Sequence, residues 1–170
     1  MGPGETKVFN IDNTPPPGGR ALTIGFWRNW ASCAKSNGKQ EPVLDQTRAS
    51  FAGGGVYIGN LFVDTCQEAV RILSKQDVGS GKQKSSDPAF NMAAQLLAAK
   101  LNVQAGAGQC SNAVTAMVAG QAILDGPPPS YAVNFTGMGD YPKKGQFAAE
   151  ANNLATTLDQ YNNNYLCTGP

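Results

Sequence analysis

The chain contains no histidine. That absence excludes Ser-His-Asp and Cys-His catalysis, zinc sites built with imidazole, and proton shuttling by the side chain that ordinarily titrates near neutrality. Charge is also scarce. Asp, Glu, Lys and Arg make up 15% of the chain, below the usual quarter, and the net charge is +1. The lysines and arginines are scattered without a basic run, so no field steers nucleic acid or an anionic membrane toward the protein. No apolar run reaches the roughly 18 residues of a spanning helix, and membrane insertion is not expected. The glycines of AGGGVYIG and AGAGQ form no GxxxxGK[ST] loop, and no GxGxxG opens a helix after a strand. A DxDxDG loop is missing too, so a calcium site would have to be assembled from distant segments and backbone carbonyls. No cofactor, metal site or catalytic residue is therefore expected.

Four cysteines are present, Cys33, Cys66, Cys110 and Cys167, and none forms a CxxC pair. Two disulfides are the economical reading, and they imply an extracellular or periplasmic location. Three pairings exist, and spacing alone does not choose among them. Tethering favours Cys33 with Cys66, across an irregular stretch, and Cys110 with Cys167, which would hold the last helix down. The opening MGPGETK lacks a signal-peptide apolar region, so the expectation is a cleaved signal or excision from a longer secreted chain.

At 170 residues the chain is long enough for one domain with a full core. Residues 1–19 read as an N-terminal segment, TKVFNID, followed by a Pro/Gly-rich linker, NTPPPGGR, and residues 20–170 as a helical domain. Helical periodicity runs from Ile24 to Ser36. It places Phe26, Trp27, Trp30, Ala31, Cys33 and Ala34 on one face and Arg28, Asn29, Ser32 and Lys35 on the other. Trp27 and Trp30 are therefore expected in the core rather than on a binding platform. A short helix is expected over 43–50, and the glycines of AGGGVYIGNLFV predict a broken loop or short extended piece. A second long helix starts near Asp64 as N-cap, with Gln67 in the third position.

Asp87 and Pro88 mark the clearest helix start. The helix that follows is apolar on two sides, with Phe90, Leu97 and Leu101 on one and Met92, Leu96 and Val103 on the other, so it belongs at the centre of the fold. Ser111 is the expected cap of the next helix. The last one carries Phe147, Ala151, Leu154, Leu158, Tyr161 and Tyr165 in a narrow stripe, as a surface helix would. The expected fold is all-α: a disulfide-stapled bundle of about five helices around a central Ala-rich helix, with long Gly/Pro loops. Its core includes Trp27, Trp30, Phe90, Leu97, Leu101 and Leu158.

Asp64, Glu68 and Asp140 are the carboxylates worth weighing for glycan hydrolysis, but capping and solvent-facing positions account for the first two. Asn134-Phe135-Thr136 is an N-glycosylation sequon in the long loop. Tyr131, Tyr141 and Tyr165 read as half-buried anchors.

The segments GGRALTIGFWRNWASC, DPAFNMAAQLLAAKLNVQAGAGQC and LATTLDQYNNNYLC together resemble a helical module of large bacterial secreted and cell-surface proteins. In that module a G-[FY]-W-[KR]-N motif opens the domain and an AAQLLAAKLN-like helix forms its middle. The resemblance covers about residues 18–167. It implies location and architecture and no activity, with a non-enzymatic structural, adhesive or display role. The partners it implies are other domains of a larger surface protein or extracellular matrix components. Two other readings are a carbohydrate-binding module or carboxylate-dependent glycan hydrolase, and a filament subunit that self-associates by strand addition through residues 6–12.

Overall fold

Asp87 begins the element around which the rest is arranged. In the computed structural model, which describes residues 20–33, 42–126 and 131–167, its carboxylate accepts the Ala89 N–H at 3.0 Å and Pro88 occupies the first helical position of α4, Pro88–Gln104. Phe90, Met92, Leu96, Leu97 and Leu101 are all buried, as are Ala93, Ala94, Ala98 and Ala99. An apolar helix with small residues on several sides can take neighbours on several sides. Among the described residues its helical neighbours are α1 (Ile24–Asn29), α2 (Val43–Ala49), α3 (Cys66–Leu73), α5 (Ser111–Asp125) and α6 (Gly145–Asn162). Gly120 of α5 shows how close the approach is: a Cβ there would lie 3.5 Å from the Met92 sulfur.

The fold is mainly helical but not all-α. Val56–Ile58 (β1) and Leu61–Val63 (β2) pair antiparallel, with Val56 opposite Val63 and Ile58 opposite Leu61. The turn between them is Gly59-Asn60, and Gly59 has φ +61°, the glycine-first pattern of a type II′ hairpin. The glycine triplet upstream did not extend its irregularity into this segment; it forms a short 3₁₀ turn at Ala52–Gly54 and ends there.

Several boundaries differ from expectation for identifiable reasons. The first helix stops at Asn29, and Trp30 O accepts the Leu44 N–H at 2.8 Å, so the chain turns into contact with α2 instead of continuing. Thr65, not Asp64, caps α3: its hydroxyl accepts the Glu68 N–H at 3.1 Å while the Glu68 carboxylate accepts its O–H at 3.0 Å, a capping box one residue later. Cys110 holds the cap position of α5, with Ser111 already inside the helix. Helices α3, α4 and α6 end in the same left-handed motif. In α3 Gln76 N–H reaches Arg71 O at 2.8 Å, in α4 Ala107 N–H reaches Asn102 O at 2.9 Å, and in α6 Tyr165 N–H reaches Gln160 O at 2.7 Å. The residues at positive φ are Lys75, Gly106 and Asn164.

Both disulfides are formed, Cys33–Cys66 and Cys110–Cys167. The first joins the end of the α1 region to the start of α3; the second joins the start of α5 to the chain beyond α6. Helix α6 buries Phe147, Ala151, Leu154, Leu158 and Tyr161 and leaves Asn152, Asn153 and Gln160 exposed, as a surface helix should. Tyr165 is exposed rather than an anchor, whereas Tyr131 and Tyr141 are half-buried. The N-terminal segment, its linker and residues 6–12 lie outside the described residues.

The two tryptophans separate. Trp27 is fully buried, and its indole N–H donates to Asn102 Oδ1 at 3.0 Å. Trp30 is half-buried and stacks on Phe26 with ring centroids 5.6 Å apart, at the rim of the core. Trp27→Ala should cost about 3 to 5 kcal/mol, as truncating a large core side chain does, and Trp30→Ala less than about 2 kcal/mol, because only part of its ring leaves water. Urea unfolding checks this, and equal losses would contradict the separation.

Candidate functional site

Helix α5, SNAVTAMVAGQAILD, has one charged residue, Asp125, at its last position. Its inner face, Ala113, Ala116, Gly120, Ile123 and Leu124, is buried. Its outer face carries Val114, 41% exposed, and Val118, 66% exposed, a turn apart, with Ala122 a turn further on, beside the exposed polar side chains of Ser111, Asn112 and Thr115. Apolar side chains on such a face stay in water wherever nothing covers them. Tyr57 of β1, 56% exposed, is another of the large apolar side chains left in water, and its ring packs on Phe62 with centroids 4.9 Å apart.

Two depressions share this surface. One, of about 410 Å³, is lined by Lys100, Met117, Val118, Gln121, Ala122 and Asp125. The other, of about 190 Å³, is lined by Lys100, Val103, Val114, Met117 and Val118 together with Phe51, Gln104 and Gln109. Lys100, Met117 and Val118 line both, so they form a continuous groove along the outer side of α5 with Lys100 in its middle.

Lys100 is held by two acceptors. Its Nζ donates to Tyr57 O and to Gln121 Oε1, each at 2.8 Å. The Gln121 carboxamide cannot turn over, because its Nε2 donates to Gly59 O at 3.0 Å and its Oε1 accepts Gly59 N–H at 3.2 Å. The hairpin turn thus fixes Gln121, and Gln121 with Tyr57 fixes Lys100. A Cβ at Gly59 would lie 3.0 Å from both Leu124 O and Phe135 Cβ. Burial pushes the Lys100 ammonium down to about 8, and the Asp125 carboxylate only partly opposes that shift.

Asp77, Asp87 and Asp140 have structural partners. Burial alone would raise the Asp77 carboxyl, yet it lies below the usual range because the N–H groups of Gly139, Ser80 and Gly79 donate to it, each at 2.9 Å. Asp87 Oδ2 accepts Tyr141 N–H at 3.0 Å while its Oδ1 caps α4. Asp140 pairs with Lys84 at 2.6 Å; that hydrogen bond lowers the carboxyl and raises the amine. These contacts pin the segment 131–141 to the body, where Phe135 is buried against Phe90 and Tyr141. Asn134 of the sequon is exposed, and its Oδ1 accepts from Asn60 Nδ2 at 2.6 Å. Among the described residues no three His, Cys, Asp or Glu side chains gather as metal ligands.

A further depression, of about 570 Å³, is polar. It is lined by Lys75, Ser85, Asn91, Gln95, Asn152, Thr156 and Asp159, with Ala155. Asn91 Oδ1 is buried there without a hydrogen-bond partner.

The residues singled out by sequence fall on the scaffold rather than at the groove. Trp27, Phe90, Leu97, Leu101 and Leu158 are core, Trp30 is at its rim, and Cys33, Cys66, Cys110 and Cys167 are staples. Lys100 and the outer face of α5 went unnoticed, although the absence of charge from Ser111 to Leu124 was a legible signal. Fold and surface together define a mainly helical, disulfide-stapled protein with an apolar groove around one desolvated lysine. Protein-family models, curated proteins and solved structures provide no match to the chain.

An unfolded lysine titrates near 10.4, so between about pH 8 and 10 the unfolded chain binds more protons at position 100 than the folded one, and through this residue stability rises with pH across that window. Lys100→Met removes that contribution. The difference in unfolding free energy between parent and variant should therefore move in the parent's favour from about pH 7.5 to 9.5, and a pH-independent difference would contradict the desolvated lysine.

Proposed function

We propose that the protein is a non-enzymatic interaction module of a bacterial surface or secreted protein, with a structural, adhesive or display role. The observation that carries this reading is the uncovered apolar outer face of α5, Val114, Val118 and Ala122, set around Lys100. Surface of this kind on an otherwise polar protein is where a partner domain gains most from burial. The disulfides fit an oxidising compartment such as the cell exterior, and no helix among the described residues is long and apolar enough to cross a membrane. Two of the three carboxylates weighed for hydrolysis have other roles: Glu68 completes a capping box and Asp140 pairs with Lys84, while Asp64, displaced as cap by Thr65, is exposed. The sequence motif shared with the bacterial surface module supports the same assignment.

A carbohydrate-binding role is the second reading, and the polar cleft favours it. Asn91 Oδ1 is an unused acceptor among amides, hydroxyls and a carboxylate of the kind that hydrogen-bond sugar hydroxyls.

Retention on an isolated cell-envelope fraction bearing its surface proteins separates these readings. Parent and Val118→Asp should melt alike, since Val118 is exposed, and the parent should be retained while Val118→Asp loses most of its binding. Binding that survives Val118→Asp but is lost in Asn91→Leu, and is competed by chitin or peptidoglycan fragments, supports the carbohydrate reading instead. Release of reducing ends from either polymer would contradict a non-enzymatic role.

A further inference from the structure

The hydrogen-bond arrangement at Lys100 has a chemical consequence that goes beyond docking. Tyr57 O and Gln121 Oε1 are its two acceptors among the described residues. A neutral amine has two N–H groups and needs two acceptors; an ammonium has a third N–H, for which no described residue supplies an acceptor. Loss of a proton therefore breaks no hydrogen bond to these residues. In the neutral form the Cε–Nζ bond and the two N–H groups take three tetrahedral positions, and the fourth holds a lone pair that no described residue engages.

The surroundings suit an apolar electrophile. Met117 and Val118 line both depressions beside Lys100, with Ala122 in one and Val103, Val114 and Phe51 in the other. A short alkyl chain lying there would leave water for aliphatic surface.

We propose that Lys100 is a covalent capture site for small aliphatic aldehydes, its amine attacking the carbonyl carbon while the alkyl chain lies along the Val118 side of the groove. The Nζ lone pair forms the C–N bond, and a proton passes from nitrogen to the carbonyl oxygen to give a carbinolamine. Loss of that hydroxyl with a further proton as water then leaves a C=N bond. Amine and aldehyde become imine and water, with no change of oxidation state. Uptake of a proton from water gives the protonated imine, whose single N–H donates to Gln121 Oε1, and Tyr57 O, whose contact with Lys100 is exposed, turns to water. The downward shift to about 8 supports the same conclusion. At neutral pH it leaves on the order of a hundredfold more free amine at Lys100 than at an ordinary lysine.

The full oxidised chain is incubated at neutral pH with hexanal and cyanoborohydride, which reduces the imine to a stable secondary amine, and in parallel with formaldehyde. Peptide mapping then gives the extent of labelling at each lysine. Hexanal should label Lys100 at least about tenfold more than the mean of the other lysines, as its larger free-amine fraction requires. Val118→Ser, which removes alkyl contact without adding charge, should cut that preference several-fold while leaving the formaldehyde pattern unchanged. Labelling of Lys100 no greater than the mean overturns the proposal. So does a preference that is the same for both aldehydes and insensitive to Val118→Ser, since that would be a reactive amine without an alkyl site. The readout needs no partner, so its failure and failure of the docking role are distinguishable.

Discussion

The side-chain amide of Asn102 joins α4 to the segment before α1, to the Trp27 indole and to the end of α6. Its Oδ1 accepts from Leu22 N and Trp27 Nε1 at 2.8 and 3.0 Å, and its Nδ2 donates to Leu22 O and Asn162 Oδ1 at 2.8 and 3.0 Å. Those four bonds are all an amide can make. Asn162 passes the connection on: its Nδ2 donates to Gln95 O and Oε1, and Gln95 Nε2 donates to Asp159. A second amide, Asn164, holds Ala21 through both its N–H and its C=O, at 2.7 and 2.9 Å. The segment leading into α1 thus lies between α4 and the end of α6 as though it were a strand, with two asparagines in place of a neighbouring backbone. A buried network in which every member is satisfied fixes one arrangement, because each alternative leaves polar groups unpaired at about 1 to 3 kcal/mol apiece.

The same constraint ties the opening segment to the AAKLN end of α4. Trp27 belongs to the first and Asn102 to the second, and the indole–amide bond is where they touch. That contact is internal to the core, and it leaves the half-buried Trp30 at the rim. The turn after α6 extends the same logic. Asn164 adopts the left-handed conformation that ends the helix, and from that position its side chain reaches Ala21.

The local rules that read correctly from sequence were those with a single actor, such as the Asp87-Pro88 start, which tolerates no other register. The two-sided apolar pattern of α4 was legible for the same reason: Phe90, Leu97 and Leu101 require burial whatever surrounds them. Choices between neighbours were not legible. Asp64 and Thr65 can each cap, and the reciprocal Glu68 contact decides for Thr65. Gly59-Asn60 is a hairpin signal in its own right, but three glycines just before it pointed to irregular structure. The length of α1 was set by a tertiary hydrogen bond, Leu44 N–H to Trp30 O, that periodicity cannot contain. The groove follows from these long-range facts. It needs α5 packed on its inner face, the hairpin turn against Gln121, and Lys100 between them; only the missing charge of α5 was visible beforehand.

Native-state hydrogen exchange on Asn102→Ala tests the dependence on this amide most directly. If the network couples the segment before α1 to the end of α6, the Leu22 and Trp27 indole N–H groups should lose protection together with the backbone around Asn162 to Asn164. The centre of α4, around Leu96 and Leu97, should stay protected. Loss of protection confined to α4 near position 102, with the segment around Leu22 and the α6 terminus unchanged, would contradict it.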